Sequence, residues 1–354
     1  MKVLHLDTGH TFRGGQRQVY LLIRGLSKFN VEQHLSCPAD SPLVKRVSDY
    51  IQGFHPLSGS NLVRFISKKS AKKYIEQNNV DIVHAHDSHA HSLLWFMGGH
   101  NLSAKLIVTR RSSGRIGPVS RKKYRIKGIK YIAISEHVKK MLTDGGVNTS
   151  AIEVINSMID EKLFESRSAQ KNIGTRSDKI IVSAGAYDKL KGYDNALAAM
   201  CLLKEKRIDF KYYLYGDGPE KDNYLNFIKN AGLQSIVTLG GWYNEPNEYI
   251  SKGDIFLSPS LHEGLNMSIV EAMAMGVPVV ASAIPPHMET IKAGTNGILF
   301  PPGDFEMMAE EINHLLDDSQ MAQKLIAEAL TTARKFASKI ISEHIYNLYR
   351  QIVA

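Results

Sequence analysis

Glu263 and Glu271 are separated by seven residues within Leu261–Gly276, LHEGLNMSIVEAMAMG, and their surroundings decide what two carboxylates at that spacing can do. The preceding segment Asp254–Ser260, DIFLSPS, is an apolar run closed by a turn signal and predicts a buried strand. Leu265, Ile269 and Met273, with Val270 and Ala274, fall at helical spacing. Gly276-Val277-Pro278 ends that helix, and Val279–Ser282 opens another strand. Glu263 is therefore expected in the loop before the helix and Glu271 one to two turns inside it. Between them the amides of Gly264, Leu265 and Asn266 face out of the helix start, where an anion binds well. Carboxylates that accept from hydroxyls, beside a patch of amide donors, suit a ligand that is half polyol and half phosphate. A nucleotide sugar is such a ligand.

HEGL, EAMAMGVPVVAS and the downstream Asn296–Asp304, NGILFPPGD, extend the pattern. Together they resemble the E-x7-E signature of the retaining glycosyltransferases with the GT-B fold, the family 4, group 1 type that builds bacterial envelope glycans, sucrose and phosphatidylinositol mannosides. The resemblance implies an α/β chain of two Rossmann-like domains facing across a cleft, with the C-terminal helix returning to the first domain. It covers nearly the whole chain, and the second half carries most of its specificity.

Further positions acquire roles from the same resemblance. Gly14-Gly15 lies between the first strand and the first helix, where glycine lets a backbone approach a phosphate, and Gly15 matches a residue that meets the donor diphosphate. Gly185–Gly192, GAYDKLKG, aligns with G-R-L-x-x-x-K-G, so Lys191 matches the phosphate-binding lysine while Ala186 stands at the usual arginine position. Lys189, Arg13, Arg17, Arg110 and Arg111 are the candidates to replace that missing cation. Gly216 and Gly218, in YGDGP, and Trp242, in GGW, match turns beside the nucleotide base, although both are also plain turn signals. Glu271 would accept from both ribose hydroxyls, and Glu263 would face a hydroxyl of the donor sugar. His86, in the pattern D-x-V-H-x-H, would project into the cleft near that sugar.

His84, His86, His89 and His91 invite a metal reading, since imidazole is the commonest metal ligand. Strand alternation and a turn should splay them, so no metal site is expected. The chain carries no D-x-D motif, and the expected set is Lys191, Gly15 and helix amides meeting the diphosphate, with no cofactor and with UDP or GDP as the nucleotide.

The elements that must position these residues alternate strand and helix. Strands are expected at Lys2–Asp7, Asp81–His84, Lys105–Thr109, Tyr131–Ile134 and Glu153–Ile155, with a first helix from about Gln16 to Phe29. Such alternation predicts a parallel sheet covered on both faces. Residues 156–175 lose periodicity and are expected as a linker. The pattern restarts at Lys179–Ala184 and continues through Lys211–Tyr215, Ile236–Leu239 and Ile255–Leu257 to a last helix at about Ser338–Val353. The expected domains are 1–158 with about 338–354, binding acceptor, and 159–337, binding donor.

At 354 residues the chain suits two cores. No apolar run approaches a spanning helix, MKVLHLDTGH enters a strand without a signal peptide, and Cys37 and Cys201 imply no disulfide framework, so a cytoplasmic setting is expected. Charge is lopsided. Residues 1–158 carry 24 Lys+Arg against 10 Asp+Glu, while the remainder is net −5. Lys68, Lys69, Lys72 and Lys73 share a helical face, and Lys105–Lys130 holds ten basic residues and no acid. These point to an anionic membrane surface, on the inner face of the cytoplasmic membrane, ahead of nucleic acid or a solvated basic face. The expected activity is transfer of a sugar, with retention, to a glycan or lipid-linked acceptor in lipopolysaccharide or polysaccharide assembly. A GT-B nucleotide-sugar epimerase and a non-catalytic polyanion-binding protein are the alternatives; product analysis with donor alone separates the first and salt-steep polyanion binding the second.

Overall fold

A computed structural model of the chain describes residues 1–57, 63–118, 120–165, 178–242 and 247–354. Residues 166–175 of the expected linker and the side chain of Lys68 lie outside the described residues. The chain divides into two compact units, Met1–Met158 with Ser338–Ala354, and Ile159–Ala337.

The first unit is built on a seven-stranded sheet, with β1 Lys2–Leu6, β2 Glu32–Pro38, β3 Gly53–Leu57, β4 Ile82–Ala85, β5 Lys105–Arg110, β6 Ile129–Ala133 and β7 Ile152–Val154. Its order is β3-β2-β1-β4-β5-β6-β7, and the pairs are parallel. Runs such as Val3–Leu6 and Ile82–Ala85 are buried along their length, as strands covered on both faces must be. The helix Gly14–Leu26 covers one face, and the helix Ser338–Val353 packs on it through Leu22, Leu26, Ile341, Ile345 and Leu348. Phe29 stacks on Tyr346 at 4.5 Å between ring centroids, sealing the end of that pair.

The second unit carries β8 Lys179–Ala184, β9 Phe210–Tyr215, β10 Val237–Gly241, β11 Ile255–Ser258, β12 Val279–Ser282 and β13 Ile298–Phe300. The order β10-β9-β8-β11-β12-β13 is again parallel throughout. Its core is aromatic: Tyr187, Tyr193, Phe210, Tyr212, Tyr224 and Phe300 are all buried. The buried phenols are paired, Tyr187 donating to the Leu214 carbonyl at 2.7 Å and Tyr212 to Ser183 Oγ at 2.9 Å, so desolvation of those hydroxyls is offset.

Both sheets reverse direction once, between β1 and β4 in the first unit and between β8 and β11 in the second. Loops leaving the C-terminal ends of strands on either side of such a reversal diverge and leave a crevice, the usual ligand position in open α/β sheets. In the second unit the loops after β8, β9 and β10 are knitted together. Gly185 N–H donates to Tyr215 O at 3.0 Å, Tyr187 N–H to Asp217 O at 2.9 Å, and Gly216 N–H to Gly241 O at 2.8 Å. Gly216 has φ +154, and a Cβ there would lie 1.9 Å from the Gly185 carbonyl oxygen. Gly216→Ala is accordingly expected to destabilise the second unit by about 3 kcal/mol, read as a lower denaturation midpoint.

The last helix, β8 and β12 span the residues expected from sequence, whereas most other element ends moved by one to three residues. The first helix runs Gly14–Leu26, placing both glycines in its first turn instead of a loop. The strand before Glu263 is Ile255–Ser258, because Pro259 has no N–H with which to extend the ladder. The strand expected at Glu153–Ile155 is Ile152–Val154.

Candidate functional site

At the β8/β11 reversal the two loops meet. Asp188 caps the short turn Lys189–Lys191 by accepting from Leu190 N–H at 2.9 Å, and Leu261 N–H donates to Leu190 O at 2.8 Å. That junction brings Lys191 Nζ to 2.6 Å from Glu263 Oε1. The same oxygen accepts from Ser260 Oγ at 2.9 Å and Asn266 Nδ2 at 3.2 Å. Three donors on one oxygen fix the carboxylate plane, and Oε2 takes none of these bonds. The pair is largely covered, 21% and 12% of the side chains being exposed, so its charges interact more strongly than a surface pair. Chemically it offers an anchored cation and an oriented acceptor side by side.

The helix after Glu263 runs Met267–Ala274 with Asn266 at its N-cap. Its leading amides are therefore those of Met267, Ser268 and Ile269, one to three residues beyond the Gly264–Asn266 patch expected from sequence, because Asn266 has extended backbone angles. Leu265 is buried, while Gly264 and Asn266 are half-buried. Glu271 lies in the second turn of this helix and is 8% exposed. Lys189 is exposed, as is Ala186. Gly218 is held against the Tyr187 backbone and Gly216 against the Gly185 carbonyl, so both glycines are accounted for by close approach of two loops. Trp242 is 47% exposed at the end of β10.

Gly14 and Gly15 differ. A Cβ at either would meet nothing within 4 Å, and they occupy a helical turn where glycine costs about 1 kcal/mol relative to alanine. The described residues give no packing reason for them.

The first unit gathers polar groups at the β1/β4 reversal that the sequence reading did not connect. His86 is not an open loop residue: it is 2% exposed, its ring 4.0 Å from that of His84 and its Nε2 3.0 Å from His5 Nδ1. Burial pushes His5 down to about 4 and holds His84 and His86 well below the ordinary imidazole range, so all three rings are neutral. One nitrogen from each lies within 4.8 Å of the others, a spacing that could hold a metal ion. Both nitrogens of His84 are already bonded, to Tyr349 Oη at 2.6 Å and Thr109 Oγ1 at 2.7 Å, and the rings stack instead of converging on a point. The cluster is better described as a buried hydrogen-bonded stack. His91 belongs to a separate cluster, its Nε2 donating to the Lys123 carbonyl at 3.1 Å. Beside His86, Asp87 accepts from Thr8 N–H and Oγ1 and caps the helix Ser88–Phe96. Asp7 is pushed up to about 6 by burial and by Asp87, and the half-buried Arg111 guanidinium lies near both carboxylates.

These placements correct the basic tract. Arg111 feels the charges of Asp7 and Asp87, and Arg110 donates to Tyr124 Oη and the Gly114 carbonyl. Lys123 is buried and donates to Ser88 O, Ser88 Oγ and Ser92 Oγ. Lys105–Lys130 is therefore not one surface stripe; Arg115, Arg121, Lys122, Arg125 and Lys127 are its exposed members besides Lys105.

Residues 164–332 match the model described as glycosyl transferases group 1, and residues 12–163 match glycosyltransferase family 4. The chain belongs to this glycosyltransferase family. Among its curated relatives are alpha-D-kanosaminyltransferase of Streptomyces kanamyceticus, 28% identical over 193 residues (53% of this chain, 50% of that protein), and the lipopolysaccharide core biosynthesis glycosyltransferase LpsE of Rhizobium meliloti, 26% identical over 175 residues (49% of each). The chain thus spans about half the length of these curated relatives. Among solved structures, HepE of Anabaena, in complexes with UDP and with UDP-glucose, superposes with a TM-score of 0.84 at 18% identity, covering 99% of this chain and 100% of that one. The glycosyltransferase therefore has the GT-B fold. Among its described residues no helix is long and apolar enough to cross a membrane.

The sequence reading missed Asp7, His5 and His287, and named Arg111 only as a candidate cation for the diphosphate, not for its place near Asp7 and Asp87. A signal existed for His5: a polar residue inside a central parallel strand must find a buried partner. Nothing local marks His287, although its partners Ser282 and Asn266 stand only 5 and 21 residues away.

Proposed function

We propose that this glycosyltransferase is a retaining, metal-independent enzyme that moves a sugar from a UDP- or GDP-linked donor to a glycan or glycolipid acceptor of the bacterial cell envelope. The donor would bind the second unit, 159–337, and the acceptor the first, 1–158 with 338–354. The observation that carries the reading is the Lys191–Glu263 pair at the β8/β11 reversal, inside the region matching group 1 glycosyl transferases. The UDP and UDP-glucose complexes of HepE and the lipopolysaccharide role of LpsE support the donor and acceptor classes.

In this mechanism the bond from the anomeric carbon to the diphosphate oxygen breaks first, and its electron pair stays on the leaving diphosphate. The Lys191 ammonium offsets the charge that grows there. The acceptor hydroxyl attacks from the same face, and its proton passes to the departing phosphate oxygen, so retention needs no enzymic nucleophile. Gly14 and Gly15, free of any packing demand, leave room for the diphosphate to approach the helix start. Glu263 Oε2 would accept from a sugar hydroxyl and Glu271 from the ribose hydroxyls, with Gly216, Gly218 and Trp242 beside the base. His86, neutral and buried next to His5, would act on the sugar or acceptor only through its ring edge.

Peripheral binding to an anionic membrane is part of the same reading. Trp95 and Phe96 are exposed side by side, 4.8 Å between ring centroids, on a helix that also carries the Lys123 contacts. Arg121, Lys122 and Arg125 follow on the neighbouring turn, and Lys69 and Lys73 are exposed on the helix Val63–Gln77. Aromatic rings flanked by cations suit a headgroup interface.

Calorimetry with UDP, GDP, ADP and CMP tests the donor site. Wild type is expected to bind one uridine or guanosine nucleotide, and Glu271→Ala to weaken that binding about tenfold to a hundredfold. Equal affinity in the variant would remove Glu271 from the site; no nucleotide bound by wild type would end the transferase reading.

A further inference from the structure

Glu263 Oε1 belongs to a closed ring of hydrogen bonds that runs through five residues. Ser260 Oγ donates to Glu263 Oε1 at 2.9 Å, and the Ser260 carbonyl accepts from Ser282 Oγ. The Ser282 carbonyl lies 2.8 Å from His287 Nδ1. His287 Nε2 lies 3.4 Å from Asn266 Nδ2, which is itself 3.2 Å from Glu263 Oε1 and 2.8 Å from Ser258 Oγ. His287 is 1% exposed, on the short helix Pro285–Thr290 that follows β12.

Proton positions follow from the partners. A carbonyl only accepts, so His287 Nδ1 must carry the hydrogen that meets Ser282 O. Burial lowers the affinity of the ring for a second proton, so Nε2 holds a lone pair and only accepts. That lone pair requires the amino end of Asn266, not its oxygen, to face it. The Glu263 carboxylate imposes the same demand from the other side. With Ser258 Oγ, three acceptors share the two amide hydrogens of Asn266 and select one orientation of the amide, its Oδ1 turned away from them.

We infer that His287 is a positioning residue of the donor site: through Asn266 it fixes the plane of Glu263, so that Oε2 is presented to the donor sugar. The inference rests on the reading that Glu263 meets that sugar. His287 touches neither sugar nor nucleotide; its effect is on orientation.

The test compares nucleotide with nucleotide sugar. Dissociation constants are measured by calorimetry for UDP, GDP, UDP-glucose, UDP-N-acetylglucosamine and GDP-mannose, and the ratio of each sugar conjugate to its nucleotide is the readout. His287→Phe keeps the ring size and removes both hydrogen bonds; it is expected to leave nucleotide affinity within about twofold and to shift the ratio about tenfold against the sugar conjugate. His287→Gln carries one donor and one acceptor, as the neutral ring does, and is expected to restore most of the ratio. Asn266→Asp sets a carboxylate against Glu263 and is expected to reproduce the loss with His287 intact, which covers the case in which the Phe variant fails to fold. A general loss of packing would lower nucleotide and conjugate affinities together and would not be rescued by Gln, which would overturn the inference. If Glu263→Ala shifts the ratio while folded His287→Phe and Asn266→Asp do not, the relay is wrong and the donor-sugar reading stands. If Glu263→Ala leaves the ratio unchanged, the donor-sugar reading falls and the relay with it.

Discussion

Lys191→Ala is expected to lower sugar transfer by about a hundredfold to a thousandfold, the usual cost of removing one preorganised charge partner from a leaving group. The effect should fall mainly on kcat, since the charge on the diphosphate is largest as the bond breaks. Two features enlarge it here. Ala186 leaves no second cation at the matching motif position, Arg110 is hydrogen-bonded to Tyr124 and the Gly114 carbonyl, and Arg111 lies in the field of Asp7 and Asp87. Glu263 would also lose its shortest contact, though Ser260 Oγ and Asn266 Nδ2 still hold Oε1. Release of nucleoside diphosphate from the bound donor, followed with and without acceptor, is the measurement. A variant retaining more than a tenth of wild-type kcat would remove Lys191 from the leaving-group role.

The second large effect is on acid stability of the first unit. His5, His84, His86 and His91 are buried and neutral, with His5 lowered to about 4 and His91 to about 3. Each therefore contributes stability that is complete above the unfolded value of 6.5 and is lost as pH falls, because the unfolded chain takes up protons that the folded chain refuses. Fully developed, four such groups give a slope of about 5 kcal/mol per pH unit. Asp7 acts in the opposite sense. Its folded value near 6 exceeds the unfolded 3.8, so its contribution is present at low pH and lost as pH rises through that window. It returns about 1.4 kcal/mol per unit between pH 6 and 4. The net loss, about 4 kcal/mol per pH unit, consumes the roughly 5 to 10 kcal/mol of a modestly stable domain within about one to two and a half units below 6.5. Circular dichroism against pH should show a cooperative transition between about pH 4 and 5.5, with net uptake of about three protons. A flat profile down to pH 4 would mean that the folded rings accept protons.

How far the sequence discloses this molecule differs between its levels. Helix Ser338–Val353 was legible to the residue because its apolar positions repeat at helical spacing and its ends are polar. Glu263 and Lys191 could be named from local motifs, but their 2.6 Å contact depends on two loops leaving adjacent strands at a sheet reversal. Lys123 misled because a run of cations looks solvated, whereas its ammonium found three acceptors on the helix Ser88–Phe96. His86 misled for a related reason: its partner His5 lies 81 residues away and is brought alongside by β1–β4 pairing, so neither residue advertises the other. The ring through His287 is farther from view still, since neither its serines nor its histidine form a recognisable spacing.

The first unit is interrupted in sequence by the whole of the second. On a ribosome, Ile159–Ala337 emerges as an unbroken stretch and has all its strands before residue 338 is made. The earlier-made portion must meanwhile wait with Leu22 and Leu26 uncovered and His84 lacking Tyr349. Translation order is thus inverted relative to completion order: the half begun first is finished last, and for the time needed to make roughly 180 residues, on the order of 10 to 40 seconds, it is the aggregation-prone partner.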